Sequence, residues 1–442
     1  MKKAISVIIA LFLIIPFVPV SHAASGVTVT GFLLCDTDCD GIVTMRDVLA
    51  LRKCIASIIP LDSINRGAAD VNCDGAVNMR DTLGLRKRVL GIAPAVLTKE
   101  CETVEASQTS SLICEYLETA SGAPLTEDVV TSFVDISGTS LYFGGNFETG
   151  LPQGADVTLI DRSTGRGWII ENVGENYILP ALIPGHTYYY FAVFGGEVIA
   201  ENTVVASGPV RIIYVDNKSW NIRDIGGADC GNGKTIRYGV VFRGGRLDGG
   251  LLKQTDDALQ YFRNFYGIKS DIDLRRDPKT AGPDSIIGNE DDEPVVSSPF
   301  GDDVEYERFP VTAYAAGLTN ETSAALYVQI LRRMTNEVAS GRPVYYHCEA
   351  GCDRAGTVSV LLDALCGVSE SDIAARYELS SFKNTQEFYR PRSYNSPNGF
   401  QGLISYLWSL GEETLAENAR QWALGAGMTN AEIDALIDLL TE

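Results

Sequence analysis

The segment that most constrains the fold is residues 344–356 (VYYHCEAGCDRAG), where an apolar run ends in His-Cys and an arginine follows six residues after the cysteine. The apolar run predicts a buried strand, and the apolar spacing of residues 357–366 predicts a helix after the loop. The first turn of such a helix directs unpaired backbone N–H groups at the loop, which then binds anions. The sequence therefore predicts an α/β domain with a thiol in its anion site.

The side chains of this loop suit phosphate chemistry. Cys348 lies beside His347 at the expected helix N-terminus, an environment that favours the nucleophilic thiolate. Arg354 can hold two phosphate oxygens in its planar fork, and Gly351 lets the backbone bend without a Cβ. The other loop residues are Glu349, Ala350 and Cys352. This combination favours a phosphate-binding nucleophile over a buried structural cysteine.

The loop resembles that of cysteine-dependent protein tyrosine phosphatases, most closely a bacterial group whose loop reads H-C-x-A-G-K-D-R-T-G. Three further segments follow that group's motifs in the same order: residues 219–227 (SWNIRDIGG), 241–247 (VFRGGRL) and 270–275 (SDIDLR). They look like N-(F/V/I)-R-D-(L/I)-G-G, (Y/F)-R-(S/G)-x-x-L and (D/E)-x-D-L-R. The resemblance covers about residues 215–442 and implies an α/β cysteine phosphatase domain that needs no cofactor for catalysis.

The resemblance also implies roles for the loop residues. Cys348 would attack phosphorus, Arg354 and the loop amides would stabilise the equatorial oxygens, and Asp353 would protonate the leaving oxygen. For His347 we favour orienting and electrostatically supporting the loop over acting as a base.

A second acidic residue, Asp273 of the D-L-R segment, is expected near the catalytic site. The alternative is that it is a strand-end residue ion-paired with Arg275 or Arg276. A proton donor from a mobile loop is a rival to Asp353, and the acidic residues 291–293 or 302–303 could supply it.

Two positions depart from the group's loop. Cys352 stands where the group has lysine, which removes a positive charge and puts multiply charged substrates in doubt. Ala355 stands where the group has a hydroxyl, so hydrolysis of the phosphoenzyme is expected to be slow, and Thr357 faces elsewhere on the helix. Cys352 is either a plain small residue or the partner of Cys348 in a reversible protective disulfide.

The N-terminus predicts export. Residues 1–23 combine two lysines, an apolar run and a small-x-small site, as a signal peptide does, so we expect a secreted, extracellular protein that is not anchored in a membrane. The formal net charge of the chain is −21, which disfavours nucleic acid and anionic membranes as partners.

An internal repeat is the second strong pattern. Residues 35–53 (CDTDCDGIVTMRDVLALRK) recur as residues 69–87 (ADVNCDGAVNMRDTLGLRK). Each copy has oxygen side chains at calcium-loop positions 1, 3, 5, 9 and 12, with glycine at position 6. The predicted ligands are Asp36, Asp38, Asp40, Thr44, Asp47, Asp70, Asn72, Asp74, Asn78 and Asp81.

Because one helix follows each loop and position 12 is aspartate, the pair resembles a type I dockerin, which we place at residues 30–93. The resemblance implies a small α domain with two structural Ca²⁺ ions that binds a cohesin module of a cellulosome-type scaffold. The partner-binding residues would be Met45, Arg46, Arg52, Lys53, Met79, Arg80, Arg86 and Lys87. The alternatives are solvated helix residues and loops that bind no metal.

The middle of the chain is less informative. Residues 94–125 look like a linker with one short helix. Residues 126–212 contain short β-rich runs broken by glycine, proline and asparagine, with the first at residues 139–143 and the last at residues 210–215. This predicts a β-sandwich similar to a fibronectin type III or immunoglobulin-like module. Tyr188, Tyr189 and Tyr190 are interpreted as core and sheet residues rather than a carbohydrate platform.

The ten cysteines show no regular spacing, and Cys348 must stay reduced to react, so we expect a largely reduced protein. The combined prediction is a multidomain, scaffold-attached phosphatase acting on phosphomonoesters, with protein phosphotyrosine or phosphoserine preferred. One alternative is a cysteine phytase, since His-Cys-Glu-Ala-Gly also opens loops of that kind, although Glu349 and Asp353 would repel inositol phosphates. Another is a catalytically silent module that binds phosphorylated ligands, as Ala355 suggests.

Overall fold

The computed structural model describes residues 27–93, 101–107, 109, 111–119, 125, 149–175, 177–213, 221–248, 255–280, 293–382 and 390–442. The predicted signal peptide, residues 1–23, and the predicted strand at residues 139–143 lie outside these ranges. None of the helices in the described ranges combines the length and the apolar character required to cross a membrane.

The N-terminal part contains two loop–helix repeats after a strand. Its elements are β1 (Thr28–Leu33), α1 (Met45–Ile55), α2 (Arg66–Ala69) and α3 (Met79–Val89), with a short 3₁₀ turn at Leu61–Ser63. Equivalent capping boxes start the two long helices: Thr44 with Asp47, and Asn78 with Asp81. Leu51 and Leu85, at the same repeat position, are both buried between the helices.

The central part is one six-stranded sheet. The elements of this region are β2 (Thr103–Ser107), α4 (Ser111–Thr119), β3 (Ala155–Asp161), β4 (Arg166–Val173), β5 (Thr187–Phe194) and β6 (Glu197–Ser207). The strand order is β1-β4-β3-β5-β6-β2, antiparallel except for β2 against β6. Tyr188, Tyr189 and Tyr190 are all buried, as expected for core residues.

The predicted β-sandwich of residues 126–212 is not what the described residues form. The sheet takes its edge strands from outside that range, and its two faces are covered by the repeat helices and by the C-terminal domain. Tyr189 and Phe191 face Leu51 and Leu85, while Tyr190 lies in the core that includes Phe262. Alternating apolar residues predicted the strands correctly, but they do not specify which element covers each face.

The helices and strands of the structure do not follow the predicted boundaries of the linker and the dockerin. The range 94–125 holds strand β2 and helix α4, whose Tyr116 hydroxyl donates to buried Glu378 over 2.6 Å. Strand β1, assigned in part to the repeat domain, belongs to the sheet. Of the predicted strand at residues 210–215, the described part contributes only an isolated bridge between Ile212 and Arg223.

The C-terminal domain is α/β, as predicted. Its strands are β7 (Arg223–Asp224), β8 (Val241–Gly244), β9 (Ser270–Asp273), β10 (Lys279–Thr280), β11 (Glu293–Pro294), β12 (Glu305–Arg308) and β13 (Val344–His347). Its helices are α5 (Asp256–Tyr266), α6 (Tyr314–Thr319), α7 (Glu321–Ala339), α8 (Arg354–Leu365), α9 (Glu370–Glu378), α10 (Phe400–Trp408), α11 (Leu415–Gly425) and α12 (Asn430–Leu440), with a 3₁₀ turn at Leu379–Ser381.

The central sheet of this domain has the order β12-β9-β13-β8-β7, with β7 antiparallel and the other strands parallel. All eleven residues of α8 after Arg354 are buried, so this helix is fixed in the core behind the loop that precedes it. Because parallel strands end at one edge, the loops after β8, β9 and β13 meet there.

Candidate active site

The His-Cys loop joins the end of β13 to the start of α8, as the sequence predicts. Gly351 has φ +68°, and a Cβ at this position would lie 2.5 Å from the carbonyl carbon of Gly244. Any larger residue would therefore be both strained and in collision with the neighbouring strand end. The glycine lets the loop curl into a cradle at the N-terminus of α8.

Two side chains from distant motifs hold the outside of this cradle. The carbonyl oxygen of Gly351 accepts hydrogen bonds from Nδ2 of Asn221 at 2.8 Å and from Nη2 of Arg243 at 2.5 Å. Arg223 in turn donates to Oδ1 of Asn221. With this carbonyl turned outward, the loop is free to present amide groups inward to an anion.

Asn221, Arg223 and Arg243 belong to the N-I-R-D and F-R-G segments, and the sequence alone predicted no role for them. In the sequence, only the order of the motifs indicated that these residues matter, and not the chemistry of their side chains. The structure explains the order, because the segments converge under one loop from positions more than a hundred residues apart.

Cys348 lies at the centre of the cradle and is almost fully buried. Arg354 begins α8, lines the open cleft in front of the loop and donates from Nη1 to the carbonyl oxygen of Leu274 at 3.3 Å. The same cleft is lined by Asp353, Tyr314 and Arg276. Asp353 and Arg354 thus line one cleft, and Cys348 lies in the loop that leads into their helix.

His347 lies behind the loop and does not face the cleft. Its Nε2 is 3.2 Å from Oδ1 of Asp271, and its Nδ1 donates to the carbonyl oxygen of Cys348 at 3.3 Å. Both ring nitrogens therefore face acceptors, as in an imidazolium. Burial lowers the pKa of His347, but Asp273 and Asp271 outweigh it and raise that pKa to about 9. This geometry favours an orienting, positively charged histidine over a base.

A pH dependence of stability follows from His347. Its pKa rises from about 6.5 in the unfolded chain to about 9 in the folded protein, so its stabilising contribution is fully present below pH 6.5 and is lost as the pH rises to 9. We expect the melting temperature of the parent protein to fall between pH 7 and 9, and to fall less in His347→Gln. Thermal unfolding at several pH values measures this, and equal slopes for the two proteins would contradict it.

Asp273 is an ion-paired residue at the end of a strand, which was the alternative to a catalytic role. It is fully buried, accepts from Nε and Nη2 of Arg275 at 2.7 to 3.0 Å, and accepts from the hydroxyl of Tyr306 at 2.9 Å. Burial opposes the charge of Asp273, yet His347 and Arg275 prevail and lower its pKa to about 2. A buried, ion-paired carboxylate is a poor proton donor, so the geometry does not support a catalytic role for Asp273 beyond holding His347 and Arg275.

Two of the other acidic residues form ion pairs. Glu349 pairs with Nη1 of buried Arg246 at 3.0 Å. Asp303 pairs with Arg263 and with Lys269. Residues 291 and 292 lie outside the described ranges. Asp353 remains the acid that lines the cleft beside Arg354.

Cys352 and Ala355 are the two residues that differ from the group's loop, and the structure shows the contacts around them. The Sγ of Cys352 donates to the carbonyl oxygen of Ala350 at 3.2 Å, and no disulfide links the cysteines in the described part of the chain. Thr357 accepts from the backbone N–H of Tyr314 and donates to the carbonyl oxygen of Asp353. Its hydroxyl is committed to these partners and does not replace the one missing at Ala355.

The calcium loops form the second candidate site. The carboxylates of Asp36, Asp38 and Asp40 lie within 4.8 Å of one another. Asp47, from position 12, is buried and accepts from loop N–H groups. Only oxygen donors are present in this set, which fits Ca²⁺.

The second loop repeats this geometry. Asp70 accepts from the N–H groups of Asp74 and Gly75, and Asp81 accepts from those of Asn72 and Asn78. Burial raises the pKa of Asp70 to about 6. A buried carboxylate in an acidic loop is a group that a cation would stabilise, so these residues also fit Ca²⁺.

Comparison with known proteins agrees with both sites. Residues 216–427 match the tyrosine phosphatase family, and residues 34–90 match the dockerin type I domain. The C-terminal domain is therefore similar to the tyrosine phosphatase family, and the N-terminal repeat is similar to the type I dockerin domain. A protein of Cupriavidus necator with the provisional name tyrosine-protein phosphatase is 26% identical over 176 residues, which are 38% of this chain and 62% of that protein. The match thus spans less than two thirds of the relative.

Proposed function

We propose that this phosphatase domain is a cysteine-dependent phosphomonoesterase, with phosphotyrosine or phosphoserine of proteins as its preferred substrate class. The observation that carries the proposal is the cradle at the N-terminus of α8, whose loop contains Cys348, ends at Arg354 and is held from outside by Asn221 and Arg243. Anions bind at helix N-termini, and a thiolate stabilised there is a nucleophile.

In the first step, Sγ of Cys348 forms a bond to phosphorus as the bond from phosphorus to the leaving oxygen breaks. Asp353 gives its proton to that oxygen, while Arg354 and the loop amides bind the equatorial oxygens. In the second step, water attacks phosphorus, the S–P bond breaks, and Asp353 takes the proton of the water. Every group in these steps belongs to the chain, so we expect turnover without an added cofactor.

Phosphate release from a phosphotyrosine peptide tests the proposal. The assay uses the full chain under reducing conditions with EDTA present, at a temperature at which the protein stays folded. We expect steady release of phosphate that orthovanadate inhibits. No release from phosphotyrosine, phosphoserine or aryl phosphates would favour instead the silent, ligand-binding alternative that Ala355 suggests.

An inositol phosphate substrate remains a second candidate because of one contact. Glu349, whose charge was expected to repel a polyanion, is ion-paired with Arg246, which it shares with Asp248. Arg276 is exposed at the cleft and adds positive charge there. Release of phosphate from phytate at a rate comparable with that from the phosphopeptide would support this candidate.

We further propose that the dockerin attaches the protein to a cohesin outside the cell. Dockerins generally bind calcium, and all eight predicted partner-binding residues are exposed on α1 and α3, away from the central sheet. Met45 and Met79 are 50% and 58% exposed beside exposed Leu49 and Leu83, and such apolar surface is typical of a protein interface. Capture on an immobilised cohesin in calcium, lost on chelation, tests this partner.

Calcium removal is expected to lower stability more than activity. Two ligands bound only by the folded state, each at about 100 times its Kd, stabilise by about 2.7 kcal/mol per site, which corresponds to a fall of the melting temperature of roughly 5 °C or more on chelation. Calorimetry with calcium and with EDTA measures this. In the variant Asp38→Ala/Asn72→Ala the shift should be much smaller; an equal shift would contradict the assignment of the loops.

A further inference from the structure

The carboxyl group of Asp353 is held by a tyrosine that no sequence motif indicated. The hydroxyl of Tyr314 donates to Oδ1 of Asp353 at 2.5 Å, and the hydroxyl of Tyr377 lies 2.7 Å from that of Tyr314. Each hydroxyl has one proton to give. Because Tyr314 gives its proton to Asp353, the second bond must run from Tyr377 to Tyr314. The three side chains form a hydrogen-bonded chain directed at Asp353.

The backbone at Tyr314 is built to hold this position. Tyr314 has φ +60°, a left-handed conformation that is rare and strained for a large aromatic residue. The backbone N–H of Tyr314 donates to Oγ1 of Thr357 at 2.8 Å. Two residues earlier, the carbonyl oxygen of Thr312 accepts a hydrogen bond from the hydroxyl of Tyr327 at 2.8 Å. Bonds to two other helices thus maintain a strained conformation that places the tyrosine against the phosphate loop.

The contacts described for the carboxyl group of Asp353 all go to one oxygen. Arg390, with its Nε 3.7 Å away, also faces Oδ1. The side chain of Asp353 is 38% exposed, and it lines the open cleft. A donor on Oδ1 favours placing the proton of the carboxylic acid on Oδ2, because the carbonyl-type oxygen is the better acceptor. Oδ2 is therefore the oxygen available to deliver a proton to a substrate in the cleft.

We propose that Tyr314, backed by Tyr377, is the positioning residue of the general acid: it fixes the Asp353 side chain and directs the acidic proton to the leaving oxygen. The inference rests on the proposed role of Asp353. Burial, together with Tyr377 and Asp353, raises the pKa of Tyr314, so its hydroxyl keeps the proton that this contact needs. In this role Tyr314 acts through Asp353.

The test compares two substrates that differ in how much they need an acid. A nitrophenyl phosphate releases a stabilised phenolate, whereas phenyl phosphate releases a phenol with a pKa of about 10, like that of tyrosine. General acid catalysis contributes typically 10²–10⁴-fold, so a positioning residue should supply part of that on phenyl phosphate. We expect Tyr314→Phe to lower kcat/KM, which reports the step that releases the leaving group, by about 10-fold or more on phenyl phosphate and by no more than about 2-fold on nitrophenyl phosphate.

A double-mutant cycle and a matched variant complete the test. If Tyr314 acts through Asp353, adding Tyr314→Phe to Asp353→Asn should cause no further loss on phenyl phosphate. Tyr261→Phe removes a buried hydroxyl that is bonded to Tyr177 and contacts neither Asp353 nor Tyr314, and it should affect the two substrates equally. The ratio between substrates does not depend on the fraction of each variant that folds.

The outcomes separate this inference from the function on which it rests. Equal loss on both substrates in Tyr314→Phe, or additive loss in the double variant, would overturn the positioning role. If Asp353→Asn itself shows no preference for the better leaving group, the assignment of the acid fails and the inference fails with it. A selective loss in Asp353→Asn but none in Tyr314→Phe leaves the phosphatase intact and rejects Tyr314 alone.

Discussion

Replacement of Cys348 by serine should abolish turnover of aryl phosphates, with a loss on the order of 10⁴-fold or more, as is typical when the nucleophile of a covalent mechanism is removed. Serine is nearly isosteric with cysteine, but its hydroxyl stays protonated at neutral pH and is a weak nucleophile without a base. His347 cannot serve as that base, because its two ring nitrogens are directed at Asp271 and at the carbonyl oxygen of Cys348.

The appropriate control is Cys366→Ser. Cys366 is also buried and caps the far end of helix α8, and burial raises the pKa of its thiol, so it stays protonated. This variant should keep most of the parent activity after correction for any loss of folded protein. Initial rates in reducing buffer measure both variants. Comparable activity of Cys348→Ser and the parent would contradict a thiolate nucleophile.

Replacement of Arg354 by lysine is expected to lower kcat/KM by about 10²–10³-fold, the usual loss when one donor to a transition-state anion is removed. Lysine keeps the positive charge but not the planar fork that binds two oxygens at once. Arg354 is only partly buried, so the fold should persist.

Arg276→Lys is the matched control for Arg354. Arg276 lines the same cleft, but its Nη2 donates to Oγ1 of Thr312 at 2.7 Å rather than facing the loop. We expect less than a 10-fold change in kcat/KM for this variant, since no transition-state donor is lost. Similar losses in the two variants would mean that the cleft needs only positive charge and not the geometry of Arg354.

The catalytic loop could be predicted from the sequence because its information is local. Within the fourteen residues that begin at Val344 lie an apolar strand, a glycine that tolerates positive φ and the start of a helix. Each of these features is determined by local backbone conformation. The positions of Cys348, Asp353 and Arg354 follow from that continuity. For the same reason, the capping boxes of the two calcium loops follow from their spacing.

What the sequence did not reveal depends on contacts between distant residues. Tyr314 and Tyr377 reach Asp353 from helices that no local pattern links to the loop. The β-sandwich prediction is not confirmed in the described residues for a related reason. Trp168 stacks on Phe265 at 4.6 Å and donates to its carbonyl oxygen, so that a helix covers the face where a second sheet was expected. Apolar periodicity shows that a face is buried but does not identify its cover.

A phosphorylated cysteine is the most direct evidence for the proposed mechanism. Ala355 provides no hydroxyl to help expel the thiolate, so the cysteinyl phosphate should accumulate during turnover and be accessible to rapid quenching. The measurement is mass spectrometry of the peptide that contains residue 348, after quenching the full chain within its first turnovers of an aryl phosphate. We predict one phosphoryl group on Cys348. Phosphate release with an unmodified Cys348, or with the phosphoryl group on another residue, would contradict the mechanism.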